Sequence, residues 1–468
     1  MGNGAFLNSS EAESSPKPSS PTWAGRREIF GWAMFDLANQ AYTTLIITVV
    51  FGVVFTRVIV GDGPDYRLGN LLWSVSLAAS YALVVTIGPV CGAIMDYAAV
   101  KKRFLFASYL LTVFTTACLY FVAPGQIALA MTLIIISNFG YALGEAFIAG
   151  FLPSLGPPEK LGRISGFGWA LGYVGGLVAT GIVLLGLGGI AADNFANLRL
   201  VGPLAALFFL LGAIPTFIWV REPEIRSNHR DIRSALPKQA FLRIGFQRVT
   251  WTLRRLDRFR DLGLFLASLF FAMAGLSIII SFAFIYGDQI IRWEPLYQML
   301  MFVLTQVTAA CGALVFGLLQ DQIGAKRTYN LTLLLWIAAV TMIAVTPQLT
   351  GVLNRNLGLS LESQQVFLGA GCLAGLGLGS LQSSARALVG RLTPQSKAAE
   401  FFGFWGMTVK LAAIFGILGL GVLQVRFGLQ LSVLLCLVFF VTALAIAQLV
   451  DQNRGEAATL EKIGKDGP

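Results

Sequence analysis

Residues Ile29 to Phe55 read IFGWAMFDLANQAYTTLIITVVFGVVF, an apolar run longer than the ~20 residues a helix needs to cross a bilayer. Within it Asp36, Asn39, Gln40, Thr43 and Thr44 fall at i, i+3, i+4, i+7 and i+8, so all five project from one face of a helix. A carboxylate facing lipid costs several kcal/mol, so that face should look onto water, protein or a solute. Two arrangements satisfy this: a polar path through the membrane, or a helix packed polar face inward with Asp36 satisfied by a neighbour. Either way the chain reads as an all-α polytopic membrane protein.

Composition agrees. Apolar residues make up 56% of the chain and charged residues 12%, against roughly 45–50% and 25% in a soluble domain. Cys91, Cys118, Cys311, Cys372 and Cys436 stand singly in apolar runs. Without metal spacing they read as small hydrophobic residues, and no metal or cofactor is expected. A net charge of +10 could fit nucleic acid, but the basic residues gather in alternate loops, the pattern that orients a membrane protein. The first apolar run is too long for a secretory signal. Phe6 stands where a myristoylation signal carries Ser or Thr.

Twelve spans are expected, at 29–58, 70–97, 103–123, 126–151, 164–189, 199–221, 260–287, 295–320, 327–347, 365–390, 399–424 and 427–450. They divide the chain into a disordered tail (1–26), a six-helix bundle (27–221), a basic linker (222–259), a second six-helix bundle (260–450) and a tail (451–468). Besides the linker, only the loop from Thr346 to Gln364 exceeds a tight turn. The linker carries Arg226, Arg230, Arg233, Lys238, Arg243, Arg248, Arg254, Arg255 and Arg258. With both termini cytoplasmic, Lys101, Lys102, Arg103, Lys160, Arg163, Lys326, Arg327, Arg391 and Lys397 join that side, while the other holds only Arg57, Arg67, Arg199, Arg292, Arg355 and Arg426. Phe241, Ile244, Phe246, Val249, Trp251 and Leu253 are set among the linker's charges, as expected of an amphipathic helix on an anionic leaflet. His229, the only histidine, reads as a solvated loop residue.

The two halves repeat. Gly92, Asp96, Lys101 and Lys102 after span 2 recur with identical spacing as Gly317, Asp321, Lys326 and Arg327 after span 8. Pro157 matches Pro394, and the Gly166-Phe-Gly-Trp169 block matches Gly403-Phe-Trp-Gly406. By then the offset has grown from 225 to 237 residues, which the longer loop between spans 9 and 10 absorbs. Halves with an even number of spans keep their orientation, so the repeat predicts two parallel bundles about an axis along the membrane normal.

The paired loops resemble the signature of the major facilitator superfamily. Within it, GWAMFDLANQAY (31–42), GRISGFGWALGYVGG (162–176), Ser384-Ala-Arg386 and the stretch from Phe401 through Lys410 resemble the vacuole-effluxer, autophagy-related branch and its bacterial members. The resemblance implies alternating access by two six-helix bundles, helices 1, 4, 7 and 10 around a central cavity, and amino acids as candidate cargo. In the signature loops, glycine allows close helix approach, and the Asp either accepts from a facing helix N-terminus or forms a local salt bridge. Gly168, Gly172 and Gly176 form a close-packing face on span 5 with no chemistry required.

Four ionisable residues lie inside spans: Asp36, Glu145, Arg386 and Lys410. Asp36 lies about 13 Å along its helix from Arg27 and Lys410 about 16 Å from Ala399, with Glu145 and Arg386 shallower. Two cross-half pairs are therefore expected, Asp36 with Lys410 beside the solute and Glu145 with Arg386 at the cytoplasmic gate. A zwitterion would place its amine toward Asp36 and its carboxylate toward Lys410. Asn39, Gln40, Tyr42, Asn138, Tyr141, Gln306 and Gln382 are candidates to line the path, and buried paired charges with aromatic packing are the alternative. Glu145, then Asp36, is the candidate proton carrier. The expected protein is a monomeric secondary transporter of a small polar solute in a bacterial plasma membrane, with no enzymatic step: no membrane histidine, G-x-S-x-G or phosphate loop is present. A lipid-handling protein or a non-transporting sensor on the same fold are the rival readings.

Overall fold

The computed structural model describes residues 23–61, 66–187, 194–223, 238–254, 259–427 and 429–460. Among the described residues, twelve helices are long and apolar enough to cross a membrane: α1 Arg26–Val60, α2 Arg67–Ala98, α3 Lys101–Phe121, α4 Ile127–Leu155, α5 Pro158–Leu187, α6 Phe195–Trp219, α7 Arg260–Ile280, α8 Pro295–Ile323, α9 Ala325–Ala344, α10 Ser363–Arg391, α11 Gln395–Gly416 and α12 Leu431–Gln448. Each half uses the same neighbours. Helix α1 packs on α5 and α6 as α7 packs on α11 and α12, while α3 with α4 and α2 with α4 recur as α9 with α10 and α8 with α10. The halves meet along α2–α11 and α5–α8.

Both crossings are built from the repeated loops. A side chain at Gly92 would collide with the backbone of Ala399, and one at Gly317 would lie 2.8 Å from the carbonyl oxygen of Gly162. Asp96 Oδ2 accepts the backbone N–H of Glu400 at 2.8 Å, and Asp321 Oδ1 accepts that of Arg163 at 3.3 Å. Ala399 and Glu400 are the 237-offset equivalents of Gly162 and Arg163, so the repeat is realised contact for contact. Each Asp thus takes the first backbone donors of a facing helix, which the helix itself leaves unpaired. Each Asp also has a cation beside it: Lys101 of the same half lies 2.9 Å from Asp96, and Arg163 of the opposite half lies 3.6 Å from Asp321. The other signature cations serve their own halves. The N–H groups of Lys101 and Lys102 donate to Glu222, and that of Lys326 donates to Gln452, capping α3 and α9, while Arg327 is exposed.

The linker contains a helix, Lys238–Arg254, docked across the α2–α11 crossing. Gly245 faces Val90 and Ile94 of α2. Thr252 donates to the fully buried carboxylate of Glu400, and Lys397 donates to Thr252 at 3.3 Å while lying over the Trp251 ring. The opposite face leaves Arg243, Phe246, Gln247, Thr250 and Arg254 exposed. His229, Arg226, Arg230, Arg233, Arg255, Arg258 and the tail before Trp23 lie outside the described residues. The expected loop from Thr346 to Gln364 is a correction: Thr346–Leu357 is helical. Pro347 sits in its first turn, where a missing N–H costs nothing.

Helix α1 departs from regular geometry. It is α-helical over Arg26–Tyr42, then carries wider i→i+5 turns at Thr43–Val49 and Phe55–Val60. Such turns shift the phase of the side chains beyond Tyr42 and recur at functional sites in helical proteins.

Candidate functional site

Helix α5 serves as a ruler through the interface between the halves. Near its start, Arg386 of α10 is 1% exposed and reaches entirely into the other half. Its Nη1 lies 2.8 Å from Asp36 Oδ2, Nε donates to Ser165 Oγ at 3.1 Å, and Nη2 donates to the Ser165 carbonyl at 3.0 Å. The guanidinium carbon lies over the rings of Trp32 and Trp169, 4.6 and 5.2 Å from their centroids. Trp32 is itself fixed by donating to the Ile148 carbonyl at 2.8 Å. Ser165 closes the set by donating to the Ser383 carbonyl of α10 at 2.8 Å. Gly168 makes room for this cluster, since a Cβ there would stand 2.5 Å from Asp36 Oδ2 and 2.8 Å from Arg386 Nη2.

About 7.5 Å further along α5 lies a second cross-half layer. Lys410 Nζ of α11 donates to Glu145 Oε2 of α4 at 2.9 Å, and the ammonium lies 5.5 and 5.6 Å from the rings of Tyr81 and Tyr141. On α5 and α10, Tyr173 donates its hydroxyl proton to Gln382 Oε1. Side-chain exposures of 11% and 16% leave the Lys410–Glu145 pair more open than Arg386 at 2%. A further turn on, Gly176 leaves a gap where Thr44, Gln40 and Gln306 converge, with Gln306 Nε2 3.3 Å from where a Cβ would be. Among the described residues no grouping of three His, Cys, Asp or Glu side chains could hold a metal ion.

The four charges therefore pair across the halves, but with exchanged partners: Asp36 with Arg386 and Glu145 with Lys410. Depth counted along single helices ranks heights and does not decide lateral neighbours. Helix α4 abuts α11 and α5 abuts α10, and the long guanidinium passes Gly168 to reach α1. The glycine face of α5 is corrected with it: Gly168 and Gly176 border polar groups rather than plain packing surface. Tyr42 and Asn138 are packed inside the first half. Tyr42 shares a 2.8 Å hydrogen bond with Ser137 and stacks on Tyr141, and Asn138 donates to Ser80. Tyr141 accepts from Thr43 at 2.7 Å. Asn39 is buried, and its Oδ1 has no hydrogen-bond partner among the described residues. Trp32, Tyr81, Ser165, Trp169 and Tyr173 are contributors that reading the sequence for intramembrane charge passes over, because each is an ordinary core residue by type.

The chain is similar in sequence to proteins of this architecture. An uncharacterised major-facilitator-type transporter of Bacillus subtilis, YxiO, is 25% identical over 428 residues, covering 90% of this chain and 94% of that protein. Autophagy-related protein 22-1 of Neosartorya fischeri is 26% identical over 313 residues, 64% of this chain, and the match spans 49% of the fungal protein, about half its length. Among solved structures, the transporter FucP in its outward conformation aligns over 91% of this chain and 98% of that one, with a TM-score of 0.67 at 13% identity. The human organic anion transporter MFSD10 aligns over 90% and 99%, with a TM-score of 0.64 at 17% identity. At those identities the structural likeness establishes the fold alone. The family model of vacuole effluxer Atg22-like proteins matches residues 71–459, and with the twelve helices and paired signature loops it follows that the chain belongs to the Atg22-like branch of the major facilitator superfamily of transporters.

Proposed function

We propose that this transporter moves a small zwitterionic solute of the amino-acid class by alternating access, with the Lys410–Glu145 pair as its recognition site. The observation that carries the reading is a 2.9 Å cross-half ion pair, bordered by Tyr81 and Tyr141 and more open than the Asp36–Arg386 cluster beside it. A zwitterion can enter such a pair without leaving either charge bare, its carboxylate replacing Glu145 at Lys410 and its amine replacing Lys410 at Glu145. Separating two desolvated charges with no such substitute is costly. Asp36–Arg386, with Ser165 and the two tryptophans, acts as the lock that joins the halves at the signature-loop end. The basic loops support a cytoplasmic location for that end. Gln40 and Gln306 line the path above the pair.

Glu145 also supplies the proton link. When the solute amine leaves Glu145 before the Lys410 pair has re-formed, a proton on the carboxylate can take the amine's place. Uptake of a labelled amino-acid panel into proteoliposomes, with and without a proton gradient, tests both parts. Glu145→Gln should abolish gradient-driven accumulation and weaken solute binding, and the exchange that remains should no longer respond to the proton gradient. Full gradient-driven uptake by that variant would remove Glu145 from the coupling.

Lipid handling has one observation in its favour: an apolar cavity of about 290 Å³ between α7, α11 and the linker helix, lined by Phe259, Leu266, Phe270, Phe401, Phe404 and Met407 among others. Stimulated movement of labelled phospholipid between leaflets, with no solute uptake, would favour it.

A further inference from the structure

The repeat that relates the signature loops also relates the two cross-half bonds of the polar layer. Glu145 stands twelve residues before Pro157, as Gln382 stands twelve before Pro394. Tyr173 stands seven residues after Gly166, as Lys410 stands seven after Gly403. Under the 237-residue offset Glu145 is the equivalent of Gln382 and Tyr173 that of Lys410, and the structure joins Glu145 to Lys410 and Gln382 to Tyr173. The two bonds are one contact, made on either side of the two-fold axis at the same depth. One copy is an ion pair and the other is neutral.

We infer that Tyr173 and Gln382 form the second wall of the solute site and determine which solute is accepted, the charged copy holding the part common to all substrates and the neutral copy reading the part that varies. The inference rests on the proposed solute site. With the Tyr173 proton committed to Gln382 Oε1, the amide N–H groups of Gln382 and a lone pair of the Tyr173 oxygen are left to face a ligand. That set hydrogen-bonds neutral polar groups and supplies no counter-charge. A solute whose variable part carries a full charge would have to leave it desolvated and unpaired, which is the stronger form of discrimination. Because both walls span the halves, a solute touching both would bridge four helices and draw α4–α11 and α5–α10 together.

The test is thermal stabilisation of the purified full-length protein by a panel of neutral, acidic and basic amino acids, sugars and organic anions, which ranks ligands without requiring transport. Tyr173→Phe should shift the relative affinities of panel members differing only in their variable part by roughly tenfold, the worth of one hydrogen bond at a buried site. Gln382→Glu should move cationic members up the ranking by a similar factor. The unliganded melting midpoint reports the fold of each variant separately. Amino acids that bind with an unaltered ranking in both variants would overturn this inference and leave the proposed function standing. A ranking led by another solute class, yet reordered by Tyr173→Phe, would support the inference and overturn the amino-acid reading. A wild type that no panel member stabilises would count against both.

Discussion

An arginine with 1% of its surface exposed keeps its charge inside a membrane-spanning helix only if its guanidinium is answered on every side. Arg386 has a carboxylate at 2.8 Å, a hydroxyl and a carbonyl of Ser165, and two indole rings against it. All of these partners come from the first half while the residue itself belongs to the second, so rocking the halves apart must break the whole set together. Removing one member of a buried pair strands the other, at a cost of about 3–5 kcal/mol. Arg386→Gln should therefore loosen the signature-loop end, read as faster backbone hydrogen exchange near Ser165 in α5. Adding Asp36→Asn to it should recover part of the protection, because no bare charge then remains. Equal exchange in the wild type and the single variant would show that the cluster does not hold the halves. The four intramembrane charges were legible in the sequence because a charge inside an apolar run stands out. Their partners were not, since pairing depends on which helices lie side by side. Nor could Trp32 and Trp169 be told from packing residues.

At the scale of elements, the linker helix adds a third component to the α2–α11 crossing. Its amphipathic pattern of Ile244, Val249 and Trp251 among arginines was legible. What it packs on was not, because the docking surface uses Gly245 and Thr252, residues chosen by the contour and chemistry of α2 and α11 rather than by periodicity. The Thr346–Leu357 helix was missed for a related reason: Thr-Pro reads as a break unless the Pro is taken as a first-turn residue. Irregular turns in α1 leave no mark in the residue pattern at all. Docking of the linker can be tested through its glycine. A Cβ at Gly245 would stand 2.9 Å from Ile94 Cγ1 and 3.0 Å from Val90 Cγ1, and a leucine there overpacks the crossing by about 1–3 kcal/mol. Gly245→Leu should lift the helix, giving roughly tenfold faster trypsin cleavage at Arg248 and Arg254 and exposing Trp251 to aqueous quenchers. Cleavage at the wild-type rate would mean that the helix already spends its time undocked.

Over the whole molecule the two-fold repeat explains what the halves share, and its defects are where function can reside. The signature glycines and aspartates gave the architecture from sequence alone, since two copies of one spacing at equivalent loops leave few other topologies. The equivalence of the two gates, however, stops short of their strength. Lys101 and Asp96 have side chains 5% and 1% exposed, whereas Arg163 and Asp321 are 49% and 17% exposed. The Asp96 gate is also covered by the linker helix through Glu400 and Thr252, and no described helix serves the Asp321 gate in the same way. An exposed pair is worth about 0–1 kcal/mol and the loss of one partner of a buried pair about 3–5 kcal/mol. Asp96→Asn should therefore lower the melting midpoint of the purified protein clearly more than Asp321→Asn. High salt should narrow the small Asp321→Asn effect while leaving the Asp96→Asn effect in place, because screening reaches exposed charges and spares buried ones. The double variant should approach the sum, as the two gates lie on separate helix crossings and share no partner. Equal losses from the two single variants would mean that the gates work by backbone capping alone, with burial of the cation contributing nothing.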